Sequence, residues 1–211
     1  MKFSTIHIVG ITSFPCLLLD GASGEFKPTS NMQTLAAAKQ ILTGLGIEIT
    51  QVNGPSGTSC ATIPLLAQSG ITHGEPGHAL LGTTPLHAHS IQPEIPALVY
   101  VSEVSHVGAG KAFCFGGGFY SRSNIQKALV ATDPDRILNH KLVCQPLPPE
   151  VIDYYGTLIT DEQPVHIGDT VIFSFRTQIF VTRAKVVLVE GIAANHPRIT
   201  GIYDAHGNLY V

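Results

Sequence analysis

The chain changes its periodicity once, and that change limits what it can fold into. From Ile6 to about Leu81, short apolar runs alternate with stretches of helical spacing. Beyond the proline-marked passage TTPLHAHSIQPEIP come the runs ALVYVSEVSHV, KAFCFGGGFY, DTVIFSFRTQIFVTR, AKVVLVEGI and RITGIYDAHGNLYV. They carry no helical spacers and are separated by Gly, Asp and Pro. Strand–helix–strand–helix–strand predicts right-handed crossovers onto a parallel sheet. The later runs predict antiparallel β structure, barrel-like or a sandwich. The boundary is placed between Pro85 and Pro96, giving residues 1–85 and 86–211 as two domains.

Within the first region, IHIVGI reads as a continuously apolar strand of the kind buried on both faces. A polar loop follows. Ser30 then caps a helix, with Gln33 completing a capping box. Leu35, Ala38, Ile41, Leu42 and Leu45 share that helix's apolar face, and Gly44 or Gly46 ends it. IEITQV is the next strand. TSCATIPLLAQSG is a second helix with Pro64 near its start, and GIT opens a third strand. Three such βα units are a fragment of a closed α/β barrel. Alone they would leave strand edges open, so a partner for those edges is expected.

Composition excludes several classes. With 44% hydrophobic and 13% charged residues the chain is no disordered segment. A net charge of −3 offers no basic footprint for nucleic acid or an anionic membrane. No apolar run approaches the roughly 20 residues of a spanning helix, and MKFSTIHIVGIT is too short and broken for a secretory signal. Cys16, Cys60, Cys114 and Cys144 are widely spaced with no CxxC pair and each has apolar neighbours, which predicts buried free thiols in a reducing cytoplasm.

The chemistry is expected at the ends of the three parallel strands, where α/β proteins hold ligands. Those ends are TSFPC (Thr12–Cys16), NGPSGTSC (Asn53–Cys60) and HGEPGHA (His73–Ala79). The second offers free N–H groups and the hydroxyls of Ser56, Thr58 and Ser59 to a phosphate, and the third adds N–H groups around Gly77 and His78. Ordinary helix caps use the same residue types. Two such loops side by side favour an anion site. Glu75, at the corner of HGEPGH, could then pair with a protonated ring nitrogen of the same ligand. The plainer alternative is a solvated loop acid. His73, His78, His87 and His89 invite a zinc reading, but no acidic or Cys partner stands at a familiar spacing, so no metal is expected.

The segments VGITSFPCLLLD, NGPSGTSCATIPLLAQSGITHGEPGHALLGT, FCFGGGFYSR and FRTQIFVTRAKVVLVEGI resemble, in order and over nearly the whole length, the later part of YhfX-type proteins. These are a branch of the alanine-racemase-like, fold-type III enzymes that use pyridoxal 5′-phosphate (PLP). The resemblance implies the last three units of a (β/α)8, TIM-like barrel followed by an antiparallel C-terminal β domain. It implies that Ser56 binds the PLP phosphate with Thr58 beside it, and that Gly77 and His78 give backbone N–H groups to that phosphate. Glu75 would face the pyridine nitrogen, keeping it protonated as an electron sink. Tyr120, with Cys114 as the other candidate and Arg122 nearby, would supply a second acid/base, and Arg176 a substrate-carboxylate contact. Thr177 and Gln178 share its unusually polar stretch.

Two departures accompany the resemblance. Ser13 stands where relatives commonly have a histidine, and none of the seven lysines stands at the family's cofactor lysine, which lies earlier in such proteins. The expectation is therefore part of a cytoplasmic PLP-dependent racemase or related α-carbon enzyme acting on a small amino acid or amine. It would be inactive without the missing N-terminal barrel half, with a homodimer partner as a further possibility. The alternative is a non-catalytic fragment or subunit-association scaffold.

Overall fold

The computed structural model describes residues 5–115, 125–146, 155–174 and 184–210. The chain divides into two compact units, Met1–Ala97 and Leu98–Val211, and each has its own buried apolar cluster.

The first unit holds strands β1 (Gly10–Thr12), β2 (Leu17–Asp20) and β3 (Glu25–Pro28), helix α1 (Ser30–Gly44), strand β4 (Gln51–Asn53) and helix α2 (Ile63–Gln68). β1 lies parallel to β4 in the register Gly10↔Gln51, Ile11↔Val52 and Thr12↔Asn53. His73 joins this ladder by a single parallel bridge to Asn53. β2 and β3 form an antiparallel hairpin. Thr29, one residue earlier than the sequence suggested, caps α1 by accepting the Asn31 N–H on its hydroxyl. α1 buries Met32 and Leu35, with Leu42 partly buried beside them. Ile41 and Leu45 instead stand 64% and 72% exposed. The core is completed by Cys16, Leu17, Ile49, Val52, Leu66 and Ile71.

These observations correct the expected three units of a (β/α)8, TIM-like barrel. Among the described residues the parallel ladder has only two three-residue strands and one bridged residue. The β2–β3 hairpin occupies the stretch read as a polar loop. α2 is six residues long, because Pro64 confines its start and Gly70, at φ +74°, its end. Short apolar runs satisfied the strand pattern without supplying strand length. Among the described residues the molecule is β-rich with three α-helices, and its largest sheet is antiparallel.

That sheet belongs to the second unit. β5 (Tyr100–Gly108), β6 (Lys111–Phe115), β7 (Lys127–Ala131), β8 (Lys141–Cys144), β9 (Tyr155–Ile159) and β10 (Thr170–Phe173) close into a barrel of order β10-β5-β6-β9-β8-β7. The four-residue helix α3 (Pro134–Ile137) connects β7 to β8. Period-two alternation sends Val104, Ala112, Cys114, Ala128, Val130, Leu142, Cys144, Leu158, Val171 and Phe173 inward. Alanine and cysteine at four of these positions keep the small interior filled without strain. Closure through Val171↔Val130 leaves the barrel no unpaired edge there. β11 (Val186–Glu190) and β12 (Arg198–Tyr203) pair as a separate antiparallel ribbon.

Candidate functional site

The carboxyl ends of the parallel ladder converge because their register is fixed by pairing. Thr12 ends β1, Asn53 ends β4, and His73 bridges Asn53. The Asn53 amide sits between them and donates from Nδ2 to Glu75 Oε1 at 2.6 Å and to Thr12 Oγ1 at 3.2 Å. Glu75 is thus tied to the ladder by its side chain. Its backbone is tied as well, since the Glu75 N–H donates to Thr58 Oγ1 at 3.0 Å. Thr58 is only 4% exposed, so its hydroxyl is a fixed acceptor. Glu75 itself is exposed.

The glycine of HGEPGH that precedes Glu75 has a packing cause. A Cβ on Gly74 would lie 2.8 Å from Thr58 Cγ2 and 2.9 Å from its Oγ1, which only glycine avoids. The same Thr58 therefore sets both the space at Gly74 and the direction of Glu75. The Gly54 N–H donates to His73 O at 2.9 Å, locking the other flank of the corner. Asn53 and Thr12 were inside the strand ends read from the sequence, but nothing in their identity announced that one amide would join three segments. Their adjacency comes from sheet register.

Each residue expected at a phosphate has a definite position. Ser56 is left-handed (φ 76°), and its hydroxyl donates to Leu17 O at 2.5 Å while accepting the Leu17 N–H at 3.2 Å. It thereby acts as a pairing partner for the start of β2. The Gly77 N–H donates to Glu75 O at 2.9 Å. His78 is half-buried and opens a 3₁₀ turn, His78–Leu81. The structure therefore brings Glu75, Thr58 and Asn53 together, while the Ser56 hydroxyl and the Gly77 N–H are engaged within the fold. Lys27 is ion-paired with Asp20.

Of the second set of candidates, Cys114 lies in the barrel interior at 0% exposure, its thiol directed to Gly156 O. Burial pushes that thiol up to about 11, so it is neither a thiolate nor a ready base at neutral pH. Tyr120, Arg122, Arg176, Thr177 and Gln178 lie outside the described residues. His87 spends its ring on the loop that carries it, with Nδ1 facing the Thr84 N–H at 3.1 Å and Nε2 facing Glu94 O at 3.0 Å. Among the described residues no three His, Cys, Asp or Glu side chains gather as a metal would require. No helix among them is long and apolar enough to cross a membrane.

Residues 99–199 match the family described as YhfX-like, C-terminal domain. The chain is 47% identical over 203 residues to a curated Escherichia coli (strain K12) protein called "Uncharacterized protein YhfX". That match covers 96% of this chain and 51% of the relative, so the chain spans about half the length of the relative it matches. The chain is thus similar to the C-terminal part of a YhfX-type protein, and residues 99–199 match the YhfX-like C-terminal domain.

Proposed function

We propose that this chain forms one wall of a pyridoxal 5′-phosphate site in a YhfX-type protein that works at the α-carbon of a small amino acid or amine. The supporting observation is the row Thr12–Asn53–Glu75 at the carboxyl ends of the parallel ladder. Asn53 holds one oxygen of an exposed carboxylate in a fixed direction, which is what pairing with a protonated ring nitrogen needs. When bound, the cofactor supplies a conjugated ring that spreads negative charge from the substrate's α-carbon. Glu75 would keep the ring nitrogen protonated, Asn53 would orient Glu75, and Thr58 would fix the backbone beneath it.

The fit is confined to the ring-nitrogen end. The Ser56 hydroxyl is spent on Leu17 and the Gly77 N–H on Glu75, so phosphate contacts from these two groups require local rearrangement. The cofactor lysine and the remaining wall are assigned to the rest of a YhfX-type polypeptide, joined to or paired with this one.

The test is a PLP titration of this chain with and without the other half of a YhfX-type protein, followed by absorption and amino-acid α-proton exchange. A bound-cofactor band and exchange only in the combined sample are expected. Glu75→Gln should weaken cofactor binding about tenfold, roughly the 1.4 kcal/mol of one charge-assisted contact. Wild-type affinity in that variant would remove Glu75 from the site. No band in any combination would leave the chain a subunit-association scaffold.

A further inference from the structure

The stretch from Gly82 to Ala97 is a loop with its own internal frame. At its base the Ala97 N–H donates to Leu81 O at 2.9 Å. Gly82 passes so close to Ile95 that a Cβ there would lie 1.7 Å from Ile95 O. Inside the loop, His87 ties Thr84 to Glu94 through its two ring nitrogens. The Ser90 N–H returns to Leu86 O at 3.0 Å. These bonds make the loop a preformed body rather than a loose connection.

Between Ile91 and Ile95 its polarity is inverted, although Leu86 is buried. Ile91 is fully exposed and Ile95 is 83% exposed, while one oxygen of Glu94, Oε2, is buried without a hydrogen-bond partner. The other oxygen, Oε1, accepts the Cys60 N–H at 2.6 Å. Cys60 ends the Asn53–Cys60 loop, the same loop that supplies Asn53 and Thr58 to Glu75. A carboxylate with one buried, unpartnered oxygen costs free energy that ordinary packing avoids. Here it persists because one short charge-assisted bond holds the loop to its neighbour. Beyond that bond, the loop meets the hairpin turn at Gly24, where the His89 ring leaves no space for a Cβ.

We propose that residues 82–97 are a strap over the Asn53–Cys60 loop, and that Glu94 is its latch. The strap opens as a body about its base at Leu81 and Ala97 when the carboxylate lets go of the Cys60 N–H. The titratable groups that face the latch are the Cys60 thiol and the His87 imidazole, with His89 the other ionisable side chain on the strap. Burial pushes the Glu94 carboxyl up, but the Cys60 N–H, the Cys60 thiol and His87 outweigh it and hold it below the usual carboxylate value. A depressed value means that the latch is fully formed above the ordinary carboxylate range and is lost as the pH falls through the folded value. The inference stands without the cofactor reading, since it invokes no ligand.

Amide hydrogen exchange and amide chemical shifts on the 211-residue chain test it. In Glu94→Ala the Cys60 amide should exchange at least tenfold faster, and in Glu94→Gln by a smaller factor. The amides of His87, Ser90 and Ala97 should keep their protection in both. In the wild type the Cys60 amide shift should follow one acid titration below the ordinary carboxylate range, absent in Glu94→Gln. Should Glu94→Ala fold poorly, the isosteric Glu94→Gln and the wild-type titration give the same answer. An unchanged Cys60 amide overturns the latch. Joint loss of protection at His87, Ser90 and Ala97 overturns the rigid strap.

Discussion

Asp169 shows what a single buried charge does in the barrel unit. It is 6% exposed, and it accepts the Thr132 hydroxyl at 2.7 Å and the His166 N–H at 2.8 Å. Thr132 follows β7 and Asp169 precedes β10, so the carboxylate clasps the seam where the barrel closes. Burial alone would raise its carboxyl, but those two donors, with the His166 and His140 imidazoles, hold it below the usual value. Its stabilisation is therefore present above about pH 4 and disappears as the pH falls through the lower, folded value. Asp169→Asn should cost about 1–3 kcal/mol, the range for leaving a buried donor poorly matched. It should also flatten the acid limb of a urea-denaturation profile; a variant with the wild-type acid limb would exclude the carboxylate as its source. At the same scale, burial pushes Cys114 to about 11 and Cys144 to about 12. Iodoacetamide at neutral pH should label Cys60 alone among the four native thiols, slowly because the Glu94 carboxylate raises it. Labelling of Cys114 without denaturant, read by peptide mass mapping, would contradict the sealed interior.

At the scale of elements, helix α1 separates cap from pattern. Thr29 accepts the Asn31 N–H and donates to Pro15 O, joining the helix start to the turn before β2. Thr29→Ala should cost about 1 kcal/mol and Ser30→Ala only a few tenths; the reverse order in chemical denaturation would restore Ser30 as the cap. The apolar spacing from Leu35 to Leu45 was legible as helical. Which apolar residues are covered was not: Leu35 is buried while Ile41 is 64% exposed, because no element among the described residues covers that flank. The β2–β3 hairpin was missed for a related reason. Its strands read LLLD and EFKP, and the second lacks the alternation that marks a half-buried strand. Its pairing is set by the turn at 20–25 and by Phe26, whose ring fills the space where Gly57 has no Cβ.

Across the whole molecule, the two apolar clusters share no residue, which predicts two separable unfolding units. Phe173→Ala removes the largest fully buried side chain among the described residues and should cost about 3–5 kcal/mol. Hydrogen exchange should show that loss in the amides of barrel strands β5 to β10 and leave those of α1 and β4 near wild type. Equal deprotection of both sets would mean one cooperative body. The change of periodicity near residue 85, the YhfX-type relationship and the corner at Glu75 were all written in residue order, because spacing, turn glycines and motif order are local properties of a chain. The barrel's closure, the shortness of the parallel ladder, the Asn53 amide joining Thr12 to Glu75, and the carboxylate of Glu94 on the Cys60 N–H were decided only by the tertiary structure. The Asn53 and Glu94 contacts join residues 22–41 positions apart and barrel closure pairs Val171 with Val130, and no local pattern encodes which distant partner such a group will meet.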